Sequence, residues 1–182
     1  YFEWYAGRRI IPPKTLKLEW FKSEGFSFPP LLEHQELGKF LELEGPYYLE
    51  LIKLFLCFAS SNEGIMQSVV KGKLINLDGL TLKEVTGLSG TGSVKPQPFN
   101  FGDFEELTTF QDCQRNPETK NYNKLLARGM KKNSRLISFI IVCMLKPRLH
   151  NHAQMSRDDI LLMHVVKKMV KIDWVSIVND CI

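Results

Sequence analysis

Lys124, Arg128, Lys131 and Arg135 recur at i, i+4, i+7 and i+11, the period at which a helix brings side chains to one face. Lys132 lies beside them. On one continuous helix the first four form a stripe able to neutralise several phosphates without reading bases. The same spacing describes a solvated helix face opposite a core, and spacing alone favours that reading. Lys146, Arg148 and His150 would extend the patch, whereas Lys167, Lys168 and Lys171 suit the negative end of a helix. Residues 1–110 carry 11 Lys/Arg and 14 Asp/Glu, and residues 111–182 carry 13 and 6, so the net charge of +4 arises in the C-terminal part. That part is the one suited to meet nucleic acid.

Other clusters invite chemistry and fall short of it. His150-x-His152, with Cys143 and His164 elsewhere, suggests a metal, but the paired-ligand spacing of a zinc site is missing. Gly87, Gly90 and Gly92 precede Ser93 as in a phosphate loop, yet Val94 separates Ser93 from Lys95, and a connector fits better. Asp103, Glu105 and Glu106 read as a solvated acidic turn rather than a cation site. No Gly-x-Ser-x-Gly, His-Glu-x-x-His or Cys-His signature is present. The expectation is a non-enzyme without cofactor or metal.

The elements that must position these residues follow from period and punctuation. Residues 1–30 interleave Tyr1, Phe2, Trp4, Tyr5, Trp20, Phe21, Phe26 and Phe28 with prolines, which predicts an extended aromatic arm packing on a core. Residues 31–182 then form one helical domain. Helical patterns cover Leu31 to Phe40 and, after Gly45-Pro46, Tyr47 to Ala59, the latter with a wide apolar face. Residues 68–78 change to a two-residue period around Gly72 and predict a β-hairpin. Thr81 and Glu84 have capping-box spacing at the start of a short helix that ends at Gly87. A Gly/Ser/Pro-rich loop follows over 87–103. Tyr122 to Leu145 reads as a helix, with a second start available at Asn133-Ser134, and Pro147 stops it. Ser156 and Asp173 are placed to cap the last two helices. The fold class is mainly α with one small β-hairpin.

Four stretches together resemble a known family: FEWYAGRRIIPPK at the start, ELIKLFLCFAS, VVKGKLINLDGLTLKEVTGL, and LKPRLHNHAQMSRDDILLMHVVKKMVKIDWVSIVNDCI at the end. Their order is similar to that of the plant transposon protein domain, which occurs in envelope-like and leading reading frames of gypsy-class retrotransposons. Its motifs include a Val-x-Gly-Lys like Val70-Lys71-Gly72-Lys73 and a Pro-x-x-His like Pro147-Arg148-Leu149-His150 ahead of a helix start like Ser156-Arg157. The linker between these last two looks about one residue longer here. Residues 68–90 also look like the plant mobile domain. The resemblance implies an origin and no activity.

The four cysteines, Cys57, Cys113, Cys143 and Cys181, are dispersed, and there is no Asn-x-Ser/Thr acceptor. Both features suit an intracellular, nuclear or cytoplasmic setting. The most apolar run, Leu136 to Leu145, is half the length of a membrane span. The chain opens on Tyr1 rather than Met and reads as part of a longer protein. The expected role is an interaction or assembly module whose partner is another protein or a second copy, with weak nucleic-acid binding through the stripe. The alternatives are a membrane-associated envelope-like structural protein and the non-catalytic part of a transposition enzyme.

Overall fold

The computed structural model describes residues 10, 12–62, 65–88, 90, 101–118, 124–148 and 150–179. Over these residues the chain is mainly α-helical with one small antiparallel sheet, as the sequence periodicities predict. Tyr1, Phe2, Trp4 and Tyr5 of the expected arm lie outside the described residues, as do Gly92, Ser93 and Lys95 of the glycine loop.

From Pro12 to Lys17 the chain has no regular structure, and Leu16 N donates to the Leu41 carbonyl at 2.8 Å. It then forms α1 (Leu18–Ser23), inside the stretch expected to be extended. No proline lies between Pro13 and Pro29, so nothing there forbids a helix, and α1 buries Leu18. The helix expected over 31–40 is two: α2 (Pro29–His34) and α3 (Gly38–Leu41). Pro29 opens α2, where a missing N–H costs nothing. Glu36, at φ 59°, turns the chain between the two.

α4 (Leu49–Phe58) carries the predicted apolar period but has no fully buried side chain. The wide buried face is not realised, because α4 packs on a sheet rather than into the main core. That sheet is β1 (Ser60–Asn62), β2 (Ile65–Val70) and β3 (Lys73–Leu77), in the order β1-β2-β3 and antiparallel throughout. The predicted hairpin turns at Lys71-Gly72, both at positive φ (49° and 77°), which matches the right-handed twist of its strands. Met66, Ser68 and Val70 are buried, and Ser68 Oγ donates to the Phe55 carbonyl at 2.7 Å, fixing α4 on β2. β1 is polar and three residues long, and no period announced it.

α5 (Gly79–Thr86) begins earlier than its expected cap. Asp78 is the N-cap, accepting from Thr81 N at 2.7 Å, so Thr81 is the third helical residue and does not form the predicted box with Glu84. Gly87, in the left-handed conformation, ends α5 as expected. α6 (Glu106–Cys113) was not read from the sequence. A 3-10 turn at Ala127–Gly129 precedes α7 (Lys132–Ile140), which runs on into a π-helical turn over Ile141–Leu145. α8 (Arg157–Lys167) and α9 (Trp174–Asn179) complete the chain.

α8 is the centre of the core. Every residue from Asp159 to Val166 is buried, and α2, α6, α7 and the π turn pack around it. Ser156 caps it as predicted, in a full capping box with Asp159. Asp173 accepts from Ser176 N at 3.0 Å, the predicted cap of α9. Trp174, fully buried, donates through Nε1 to Gln35 Oε1 at 3.2 Å, and Gln35 Nε2 reaches the Val170 carbonyl at 2.8 Å. No described helix is long and apolar enough to cross a membrane.

Candidate nucleic-acid interface

The aromatics after Lys17 do not simply plug the core. Phe28, wholly buried, roots a cluster in which Phe21 meets Phe28 at 5.1 Å and Phe26 at 5.2 Å between centroids, all edge to face. Trp20 stacks edge-on against Phe21 at 4.8 Å and stays 55% exposed. The cluster is pinned to α7 by one amide. Asn133 Nδ2 donates to Ser27 Oγ at 2.8 Å, and Ser27 N donates to Asn133 Oδ1 at 3.2 Å.

Between α1 and α7 this leaves a groove of about 540 Å³. It is lined by Trp20, Phe21 and Phe26 from the aromatic cluster, by Lys132, Arg135, Leu136 and Phe139 of α7, and by Arg115 and Met130. Phe139 is 43% exposed on α7, a large ring turned out of the core. Lys132 Nζ sits 3.9 Å from the Phe26 centroid and Lys14 Nζ 4.9 Å from that of Phe139, so cations already face these rings. At the rim of the cluster Lys22 bridges Glu19 and Glu33, whose hydrogen bonds push its pKa up to about 12.

Arg115 is brought here by backbone pairing that no sequence pattern announces. Gln114 bridges to Met130, Arg115 N donates to the Gly129 carbonyl at 3.0 Å, and its guanidinium donates to the Arg128 carbonyl at 2.8 Å. A Cβ at Gly129 would meet the amide end of the Gln114 side chain, which would have to turn aside. The same pairing corrects the predicted stripe. Leu126 and Met130 are extended, so the helix begins at Lys132 and the four-residue spacing of Lys124, Arg128, Lys131 and Arg135 never lies on one helix. Lys131 precedes α7 and spends its ammonium on the Asp112 carbonyl at 3.0 Å. Arg128 and Lys124 are exposed and do not line the groove. Lys132 and Arg135 are the two expected residues that reach the groove. Trp20, Arg115 and Phe139 were missed; Lys132, Arg135 and Phe139, at steps of three and four, were the available signal.

The other candidates resolve into structure. His164 is buried on α8, its Nδ1 3.4 Å from Thr109 Oγ1 and its Nε2 3.5 Å from the Asp103 carboxylate, with Phe104 edge-on at 5.5 Å. Lys168 also meets Asp103 at 3.3 Å, and that bond holds the Asp103 carboxyl below its usual range. A polar pocket of about 300 Å³ opens beside them, lined also by Glu105, Asp112 and Lys167. Within it Asp103 pairs with both His164 and Lys168 and so latches residue 103 to α8. Glu105 caps α6 through Thr108 N at 2.7 Å, and Glu106 meets Arg157 at 3.8 Å, so the expected acidic turn is engaged in the fold. The His152 ring lies against the Arg148 carbonyl. Among the described residues no three His, Cys, Asp or Glu side chains converge as metal ligands.

No protein-family model, curated protein or solved structure matches the chain. The family resemblance therefore rests on the order of motifs in the sequence.

Proposed function

We propose that this chain is a non-enzymatic interaction module from a plant retrotransposon-derived protein, and that it binds single-stranded nucleic acid weakly through the groove between α1 and α7. The observation that carries this is the pairing of exposed rings, Trp20 and Phe139, with the cations Arg115, Lys132 and Arg135 along one groove. Rings stack on unpaired bases of any identity, and the cations neutralise the phosphates between them. The bases of a duplex are already stacked on one another, so the rings favour a single strand. Free thiols at Cys57, Cys113 and Cys143 suit the intracellular setting such a ligand implies.

Fluorescence anisotropy with labelled oligothymidine, oligouridine and a duplex tests the reading. With three cations engaged on a single strand, log affinity should fall with log salt with a slope of about −2. Trp20→Ala should weaken binding by about 1–3 kcal/mol for every sequence tested, as loss of one stacking platform does. Lys132→Glu with Arg135→Glu should abolish binding and leave the circular dichroism unchanged. No binding at low ionic strength, or tighter binding to duplex than to single strands, would overturn the proposal.

A further inference from the structure

Among the described residues β3 lies at the edge of its sheet, with β2 as its one strand neighbour. Edge strands of monomeric proteins are usually blunted by proline, a bulge or charges along their length. β3 reads Lys-Leu-Ile-Asn-Leu, with one charge, at its start, and exposes Leu74 (62%) and Ile75 (37%). The register with β2 opposes Lys73 to Val70, Ile75 to Ser68 and Leu77 to Met66, so these three residues share the face on which α4 packs. α4 does not cover that part of the sheet. A wholly apolar groove of about 360 Å³ remains, lined by Leu51, Ile52, Phe55 and Leu56 of α4 and by Ile75 and Leu77 of β3.

We propose that the occupant is a second copy of this chain, with β3 pairing antiparallel to its own counterpart about a two-fold axis at Ile75. This register alone pairs all five residues of β3, Lys73 opposite Leu77 and Leu74 opposite Asn76. It keeps both α4 helices on one face of a continuous six-stranded sheet, where each closes the other's groove. It also sets the Asp78 carboxylate of each copy across from Gly72 of the other, between Lys71 and Lys73. That charge match occurs twice by symmetry, whereas a parallel pairing would set lysine beside lysine. An isologous contact of this kind closes at two copies and leaves the outer edge to the short polar strand β1.

The test uses nuclease-treated full chain, so that nucleic acid cannot bridge copies. Sedimentation equilibrium from micromolar to near-millimolar concentration should show a monomer–dimer equilibrium. Ile75→Cys places two thiols across the axis at millimolar effective concentration. Under mild oxidation its covalent dimer should form at least about tenfold faster than that of Leu80→Cys, an exposed position off the axis, with the parent's four cysteines as background. Ile75→Glu should shift the equilibrium to monomer at every concentration. A parent chain that stays monomeric throughout would overturn the proposal and reassign the groove to a different protein. Equal cross-linking at positions 75 and 80 would overturn it too, even if Ile75→Glu fails to fold.

Discussion

Asp159 holds two structures with one carboxylate. It accepts from Ser156 N at 2.7 Å, completing the box that starts α8, and meets the Arg148 guanidinium at 2.9 Å. Arg148 in turn donates to the Gln154 carbonyl at 2.7 Å, so the segment between Pro147 and Ser156 closes on itself. The residues carrying the resemblance at this end of the chain thus form a structural lock. With its side chain 3% exposed, Asp159 contributes more than a surface pair does, whereas Arg148 keeps 29% of its side chain in water. Asp159→Ala should therefore cost about 2–3 kcal/mol, less than the 3–5 of a fully buried pair. Ser156→Ala, which removes one cap bond only, should cost about 1 kcal/mol. Urea denaturation ranks the two; an equal loss would show that the Arg148 contact adds nothing.

At the scale of elements, the helices owe their start points to side chains outside the apolar period. Asp78 caps α5 and Glu105 caps α6. The bond from Thr81 N holds Asp78 below its usual 3.8, and bonds from Thr108 hold Glu105 below its usual 4.5. A carboxyl whose pKa is lower when folded stabilises the fold above its unfolded value. That contribution fades as pH falls through the depressed value, so acid should loosen both helix starts. Asp78→Asn keeps a capping oxygen at neutral pH but has no proton to gain. Denaturation midpoints taken from pH 7 down to pH 3 should fall more steeply for the parent than for Asp78→Asn. Parallel curves would mean that the Asp78 cap does not titrate with folding. Cap chemistry announced both α5 and α8: Ser156 marked the start of α8, whereas the box spacing of Thr81 and Glu84 placed the start of α5 too late, because Asp78 caps it. α6 escaped notice because its sequence, Glu-Leu-Thr-Thr-Phe-Gln-Asp-Cys, buries only Thr109, Phe110 and Cys113.

Across the whole molecule, the two ends of the described chain are joined by a buried amide. Gln35, 3% exposed, links the Trp174 indole and the Val170 carbonyl, residues more than 130 positions away in sequence. Gln35→Met preserves shape and takes their partner from the buried indole N–H of Trp174 and the half-buried Val170 carbonyl. It should cost about 1–3 kcal/mol for each group left without a bond. Trp174→Phe in the same background should cost less than it does alone, because the indole hydrogen bond is then already lost and the substitution removes the orphaned N–H. Thermal melts of the four chains make that cycle, and strict additivity would deny the coupling.

The sequence by itself determined what depends on neighbours a few residues apart. The mainly helical class, the hairpin at Lys71-Gly72 and the caps at Ser156 and Asp173 all follow from local period and turn chemistry. What it left open depends on contacts between distant segments. The expected single-helix stripe is interrupted because Leu126 and Met130, extended on either side of the 3-10 turn, find bridge partners at Gln154 and Gln114. α4 carries a core-like period yet stays half-exposed because it packs on the small sheet and leaves an apolar groove open beside β3. The groove depends on an amide at Asn133 that holds Ser27 to α7 and on the packing of the Trp20–Phe28 cluster against the core. Period reports which face of an element is apolar; which partner meets that face is decided by packing among all the elements at once.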